Sequence, residues 1–329
     1  MREGSTHPYD TLTPDTVLDA VDACGYRTDG RLLALNSYEN RVYQVGIEDA
    51  VPLVAKFYRP QRWTNEQILE EHAFALELAG QEVPVVAPLV IDGRSLFEHA
   101  GFRLALYPRR GGRAPEPGNI GQLEWLGRFI GRIHAIGGAR PFAERPRLSV
   151  QTLGRDSLDV LRDGGWLPDY LRDNFLDAGE RALERASAAF EAIAARTLRL
   201  HGDCHPGNIL WTDAGPHFVD LDDCLSGPAI QDIWMLLAGP RPDREAQLRV
   251  FLEGYEQFTL FDPAELALIE PLRALRMIHF IGWIAKRWDD PAFPPAFPWF
   301  GTPRYWEEQL NDLREQLETL DEPPLRLHP

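Results

Sequence analysis

Three short strand-like runs packed into residues 31–58, at 31–36, 41–47 and 51–58, narrow the possible folds of this chain more than any other feature. Turn residues separate them, so they read as neighbouring antiparallel strands. One helical pattern follows, NEQILEEHAFALELAG (65–80), with Asn65 as its predicted N-cap and Gly80 closing it. Two more strand-like runs come next, 84–91 and 102–108, and a short amphipathic helix over 13–25 precedes the whole set. Strands, one helix, then strands again predict a small α+β lobe that ends near residue 108.

Past the Gly/Pro/Arg connector of 108–118, helical patterns take over, at 121–136, 157–178, 180–196, 245–257, 263–287 and 304–320. The expected fold class is therefore α+β and bilobal, with residues 1–108 as a mainly sheet lobe and 109–329 as a larger, mainly helical one. A length of 329 residues suits two such lobes, and a cleft between them is the expected place for a ligand. Two stretches depart from the helical pattern. Residues 198–223 alternate short apolar runs with turns, and the Pro- and aromatic-rich 289–303 reads as a packed loop, with covering a site as an open second role.

Charge and cysteine usage exclude several roles. A formal charge of -16 repels nucleic-acid backbones and anionic membranes, although a few local cations and a metal ion still suffice to hold ATP. Cys24, Cys204 and Cys224 are too few and scattered for a disulfide framework or a zinc site, which fits a reducing cytoplasm. Residues 1–17 lack the apolar core of a signal peptide, and no apolar stretch reaches the roughly 20 residues of a membrane span.

The stretch LHGDCHPGNILW (200–211) crowds His201, Asp203, Cys204, His205 and Asn208 together. A metal site of His201, Asp203 and His205 is one reading, but Pro206 and Gly207 break any strand there. A Cys204–His201 nucleophile pair lacks an activating context, and a plain polar turn is the third option. The rest of the chain favours a fourth. Asp203 and Asn208 are five apart, the spacing of base and metal ligand in the catalytic loop of kinases. Twelve residues later, HFVDLDD (217–223) delivers Asp220 from a short apolar strand, as a second metal-binding carboxylate would need, with Asp222 and Asp223 as alternatives. Lys56 lies mid-strand in PLVAKFYR, where it would meet the phosphates. At about 100° per residue, Glu71 shares the apolar stripe of the 65–80 helix with Ile68, Phe74, Ala75 and Leu78, whereas Glu66, Glu70 and Glu77 form a solvated face. A carboxylate on that stripe needs a buried cation, and Lys56 is at hand.

With those residues in place, the sequence resembles the kinase-like phosphotransferases of the aminoglycoside, choline and homoserine kinase branch. HGDCHPGNIL matches that branch's H-G-D-x-x-x-x-N loop, and VDLDD its magnesium segment. Over residues 10–320 the chain is similar to bacterial stress-response kinases, through LNSYENRVYQV, VAKFYRPQRWTNEQILEEHAFALEL and FVDLDDCLSGPAIQDIWMLL as well. The resemblance implies a protein-kinase-like fold, Asp203 as proton acceptor, Asn208 and Asp220 as magnesium ligands, Lys56–Glu71 as the phosphate-orienting pair and Ser37 as an ATP contact. It implies adenine near Leu106–Tyr107–Pro108, and a monomeric, cytoplasmic enzyme that phosphorylates protein Ser/Thr in a stress response. Three departures stand out: no G-x-G-x-x-G precedes Lys56, Gly202 replaces the arginine of H-R-D, and no A-P-E segment follows VDLDD.

The expected function is thus an ATP- and Mg-dependent phosphotransferase acting on a hydroxyl, with protein Ser/Thr as acceptor. A small-molecule kinase is the alternative, and Trp283, Trp288, Trp299 and Trp306 would be available to line its acceptor pocket. A non-catalytic nucleotide-binding module and a metallohydrolase are the other readings. The thiols are expected to be packing groups, with oxidation of Cys204 as the competing idea.

Overall fold

The five strands near the start of the chain alternate side chains between two faces, and that alternation organises everything around them. The structure, a computed structural model, describes residue 7 and residues 9–327; residues 1–6, part of the stretch read as lacking a signal peptide, lie outside the described residues. Strands β1 (Thr28–Ala34), β2 (Arg41–Ile47), β3 (Leu53–Phe57), β4 (Phe97–His99) and β5 (Phe102–Pro108) form an antiparallel sheet in the order β1-β2-β3-β5-β4. Ala55, Phe57, Leu104 and Leu106 pack with Val17 and Val21 of helix α1 (Pro14–Ala23). Residues of the opposite parity, Tyr58 and Ala105, pack with Ile68 of helix α2 (Asn65–Gly80). Lys56, paired with Ala105 across β5 and Val42 across β2, has that second parity and so faces α2.

By packing, the chain divides into two compact units, neither a single stretch of sequence. The first comprises residues up to Glu116, Phe142–Arg145 and His205–Cys224; the second comprises Pro117–Pro141, Pro146–Cys204 and Leu225 onward. Helices α3 (Ile120–Gly137), α4 (Asp156–Asp163), α5 (Asp169–Ile193), α6 (Arg241–Tyr255), α7 (Ile269–Lys286), α8 (Phe293–Ala296) and α9 (Pro303–Thr319) make most of the second unit. One core cluster of this unit joins α4, α5, α7 and α9 around Phe175, Ile278, Phe293, Phe300 and the fully buried Trp306. Among the described residues, no helix is long and apolar enough to cross a membrane.

Several expectations are corrected. The run 84–91 is not a strand; it makes only two isolated bridges, Val85 with Phe218 and Ile91 with Arg94, because Pro84 and Pro88 lack the N–H that a ladder requires. The predicted helices 157–178 and 180–196 are instead divided at 164–168, where Gly164, Gly165 and Pro168 stop α4, and α5 runs on through Gly179. A Cβ on Gly179 would stand 2.7 Å from Leu158, so this glycine serves the close approach of α5 to α4 and does not end a helix. Trp306 is core, and the 289–303 stretch contains α8. Thr64, not Asn65, caps α2: its hydroxyl accepts from Gln67 N while the Gln67 side chain accepts from Thr64 N, a reciprocal capping box.

Glu70 is not merely solvated either. Its carboxylate accepts three backbone hydrogen bonds, from Ala143, Glu144 and Arg145, at 2.6–2.7 Å. These tie 142–145 to α2, and Phe74 packs edge-on to Phe142 beside them. Replacing Glu70 by Ala strands all three N–H groups, so chemical denaturation is expected to show a loss of about 2 kcal/mol, the range for hydrogen bonds to a charged acceptor. A loss too small to measure would show that the clamp contributes nothing.

Candidate active site

Burying an ammonium group is unfavourable unless carboxylates surround it, and Lys56 is 6% exposed. Three lie around it. Nζ is 3.0 Å from Asp222 Oδ1, 3.1 Å from Asp220 Oδ1 and 3.7 Å from Glu71 Oε1. Burial alone would pull the Lys56 ammonium down, but Asp220, Asp222 and Glu71 together hold it well above its ordinary value. Glu71, equally buried on α2, is the most distant of the three and benefits least. Burial pushes its carboxyl up against the pull of Lys56, and its Oε2 has no hydrogen-bond partner among the described residues.

The two aspartates arrive from a hairpin that sequence patterning did not resolve. Strands β6 (Leu198–Leu200) and β9 (Leu225–Gly227) pair in the second unit, while β7 (Ile209–Thr212) and β8 (Gly215–Phe218) pair in the first. Asn208 stands immediately before β7 and Val219 immediately after β8, and Val219 N donates to Asn208 O at 3.0 Å. The hairpin thereby sets Asn208 beside the start of the Asp220 segment. Asp220 then takes a left-handed conformation, φ 60° and ψ 66°, which short polar side chains tolerate better than most.

Asp220 and Asp222 do different work. Asp222 is 2% exposed and is held by Arg62, by Asn40 Nδ2 at 3.1 Å and by Lys56. Burial would raise its carboxyl, yet Lys56 and Arg62 keep it well below the usual carboxylate range. Arg62 also pairs with Asp223, and Arg145 donates to the carbonyls of Asp222 and Cys224 at 2.5 and 2.9 Å. Asp220, by contrast, keeps half of its side chain exposed. It faces a cavity of about 320 Å³ lined also by Ser37, Lys56, Glu71, Tyr107 and Asn208. Asp220 and Asn208 offer only oxygen ligands from carboxylate and amide, the set preferred by a hard divalent cation.

The 36–40 turn, which brings Asn36 and Ser37 to this cavity, is held without glycine. In the turn 36–40, Tyr38 and Glu39 carbonyls accept from the Arg59 guanidinium, and Asn40 Oδ1 accepts from Arg59 N at 3.0 Å. Tyr107, which also lines the cavity, ends a hydrogen-bonded chain from Ser95 through His72 and Tyr58, with steps of 2.9, 2.7 and 3.0 Å. Burial, aided by Lys56, pushes His72 down to about 3, so its imidazole is neutral at ordinary pH.

Asp203 belongs to the second unit, on the loop after β6, where Arg276 of α7 donates to its Oδ1 at 2.7 Å. The loop is braced through its backbone. Asp232 Oδ2 and Oδ1 accept from His201 N and Gly202 N, each at 2.8 Å, and Gln231 donates to Gly202 O. His134 Nε2 stands 3.2 Å from Asp232 and its Nδ1 2.9 Å from the Tyr255 hydroxyl. Gly202 has φ +87°, a conformation that an arginine at that position would occupy only with strain.

His205 Nδ1 accepts from Gly207 N, which shapes the turn before Asn208. Among the described residues, no group of three His, Cys, Asp or Glu side chains is arranged to hold a metal ion by itself. Cys204 and Cys224 are fully buried, and burial pushes both thiols up, so neither carries the thiolate that oxidation requires. Of the residues missed from sequence, Asp232 had a legible signal, a lone acid inside AIQDIWMLL, the same signal that marked Glu71. Arg62, Asn40 and Arg145 had none, because their partners lie far along the chain.

Comparisons with known proteins show the family to which the chain is similar. The model of the phosphotransferase enzyme family matches residues 31–269. The chain is 47% identical over 325 residues to the "Stress response kinase A" of Escherichia coli (strain K12), covering 99% of this chain and 98% of that one. It is 48% identical over 321 residues to the "Serine/threonine protein kinase RdoA" of Salmonella typhimurium (strain LT2), covering 98% and 97%. Among solved structures, the amicoumacin kinase hAmiN in complex with AMP-PNP, Ca2+ and Ami shares the fold, with a TM-score of 0.73 at 19% identity over 97% of each chain.

The brace on the loop depends on a further buried acid, and this makes it testable. Glu265, 3% exposed, accepts from Ile230 N at 2.9 Å, two residues before Asp232. Burial raises its carboxyl from 4.5 to about 7. A folded value above the unfolded one means that its contribution to stability is present below the unfolded value and is lost as pH rises through the folded one. Between pH 4.5 and 7 the wild type is therefore expected to lose about 3 kcal/mol through this group, a slope that Glu265→Gln removes. Parallel stability–pH curves for the two proteins would contradict the assignment.

Proposed function

The chain belongs to the phosphotransferase enzyme family, and we propose that it moves the γ-phosphate of ATP to the hydroxyl of a protein serine or threonine, with magnesium. The observation that carries this reading is the cavity of the first unit, where Lys56 is held among Glu71, Asp220 and Asp222 and shares a wall with Ser37 and Asn208. In it, Lys56 supplies positive charge to the phosphates and Glu71 keeps Lys56 in place. Ser37 contacts the nucleotide, and Tyr107 and Pro108 lie where adenine is expected. Asn208 and Asp220 would hold magnesium, which when bound offsets charge on the phosphates.

The fit to that ion rests on the donors themselves. Asp220, half exposed, brings a carboxylate to the cavity wall, and Asn208 brings an amide oxygen. A site with one carboxylate and one amide, unable to hold a metal alone, matches an ion that takes its other ligands from water and substrate phosphates. The transfer forms a bond between the acceptor oxygen and the γ-phosphorus. The bond to the bridging oxygen breaks, its electron pair leaves on ADP, and the hydroxyl proton goes to Asp203.

Protein Ser/Thr as acceptor, a stress response as setting and the cytoplasm as compartment are taken from the resemblance and from the names of the two bacterial relatives. The test is transfer from radiolabelled ATP with magnesium, offered generic protein acceptors and a panel of hydroxylated metabolites. Label is expected on protein, and label on a metabolite alone would move the reading to a small-molecule kinase. Lys56→Ala and Asp203→Ala are each expected to lower transfer by about a hundredfold or more, with folding checked by circular dichroism. Undiminished transfer by Asp203→Ala would remove it as the proton acceptor.

A further inference from the structure

Asp203, as proton acceptor, is in contact with a cation. Arg276 Nη1 lies 2.7 Å from its Oδ1, and both side chains reach solvent, at 45% and 26% exposure. A guanidinium on a carboxylate favours its charged form and takes up one of its acceptor positions, so the carboxylate is a weaker base while the arginine stays. A base held this way is restrained until the arginine finds another anion.

Arg276 also starts a strip of α7 that has the character of a recognition surface. At about 100° per residue, positions 276, 280, 283 and 287 fall within about 60° of one another. Phe280 is 43% exposed and stacks on Trp283 with ring centroids 6.0 Å apart. The Arg287 guanidinium lies 5.5 Å from the Trp283 ring, and the exposed Lys286 is next to it in sequence. In a chain of formal charge -16, this helix carries aromatic rings between cations. His279 on the same helix registers that field: burial first, then Lys286, Arg287 and Arg276, push its imidazole down to about 4.

We propose that Arg276 is a specificity-determining and positioning residue for the acceptor: it rests on Asp203 until an acidic side chain beside the acceptor serine or threonine draws it away. The base is then released only for acceptors that bring their own negative charge. The exchange swaps ion-pair partners and adds nothing to the balance of the transfer itself. It rests on the reading of the chain as a phosphotransferase of protein hydroxyls with Asp203 as base.

The experiment is steady-state transfer from radiolabelled ATP to three serine peptide libraries, identical except for a fixed Asp, Asn or Lys beside the serine. For the wild type, kcat/KM is expected to favour Asp over Lys about tenfold or more, the scale of one charge-assisted contact. Arg276→Lys should keep that order, Arg276→Ala should bring the ratio close to one, and Arg276→Glu should invert it, with KM carrying most of the change. Nucleotide binding by each variant serves as the control for folding. Peptides labelled without regard to charge, or an order that Arg276→Glu leaves untouched, overturn the role of Arg276 alone. A wild type that binds nucleotide but labels no peptide overturns the protein-acceptor reading and this role with it.

Discussion

One buried ammonium group, that of Lys56, sets the terms for the first unit. Each ion taken from water is disfavoured by several kcal/mol, so Lys56 demands carboxylates, and each carboxylate in turn demands the cation. Strand parity turns Lys56 toward α2, the helical stripe turns Glu71 toward β3, and the β7–β8 hairpin delivers Asp220 and Asp222. Three pieces distant in sequence are held together because none of them could be buried alone. Lys56 therefore has a structural role that precedes any chemistry.

The carboxylates divide that role unequally. Asp222 is surrounded by Arg62, Asn40 and Lys56 and has little capacity left for a ligand. Asp220, held out on a left-handed backbone residue and half exposed, is the one with ligand capacity to spare. The second unit follows a similar logic at its own loop. Asp232 accepts from the consecutive N–H groups of His201 and Gly202, so the backbone that leads into Asp203 is held. Functional side chains on loops need such supports, because a loop has no ladder of its own.

What was legible in the sequence follows from the range of each interaction. Helical periodicity is local, and it sufficed to put Glu71 on an apolar stripe where it called for a buried cation, for which Lys56 was at hand. The spacing of Asp203 and Asn208 was equally plain, since it lies within one loop. The membership of the units was not, because 205–224 packs with strands some 150 residues earlier, and no single boundary along the chain describes that. Proline decided the 84–91 error: the apolar pattern of a strand was present, but the donors were not. Glu70 was misjudged for the opposite reason, since its three partners come from a segment with no pattern at all.

The most direct test of this account is calorimetric titration of ATP into the protein, with and without magnesium, for the wild type and Asp220→Asn. If Asp220 is the carboxylate left open for the metal while Asp222 is committed to the fold, magnesium strengthens ATP binding to the wild type and that gain is lost in Asp220→Asn, with folding of the variant checked by circular dichroism. A variant that keeps the full magnesium-dependent gain would contradict the division between the two aspartates, and with it the central role given to the Lys56 cluster.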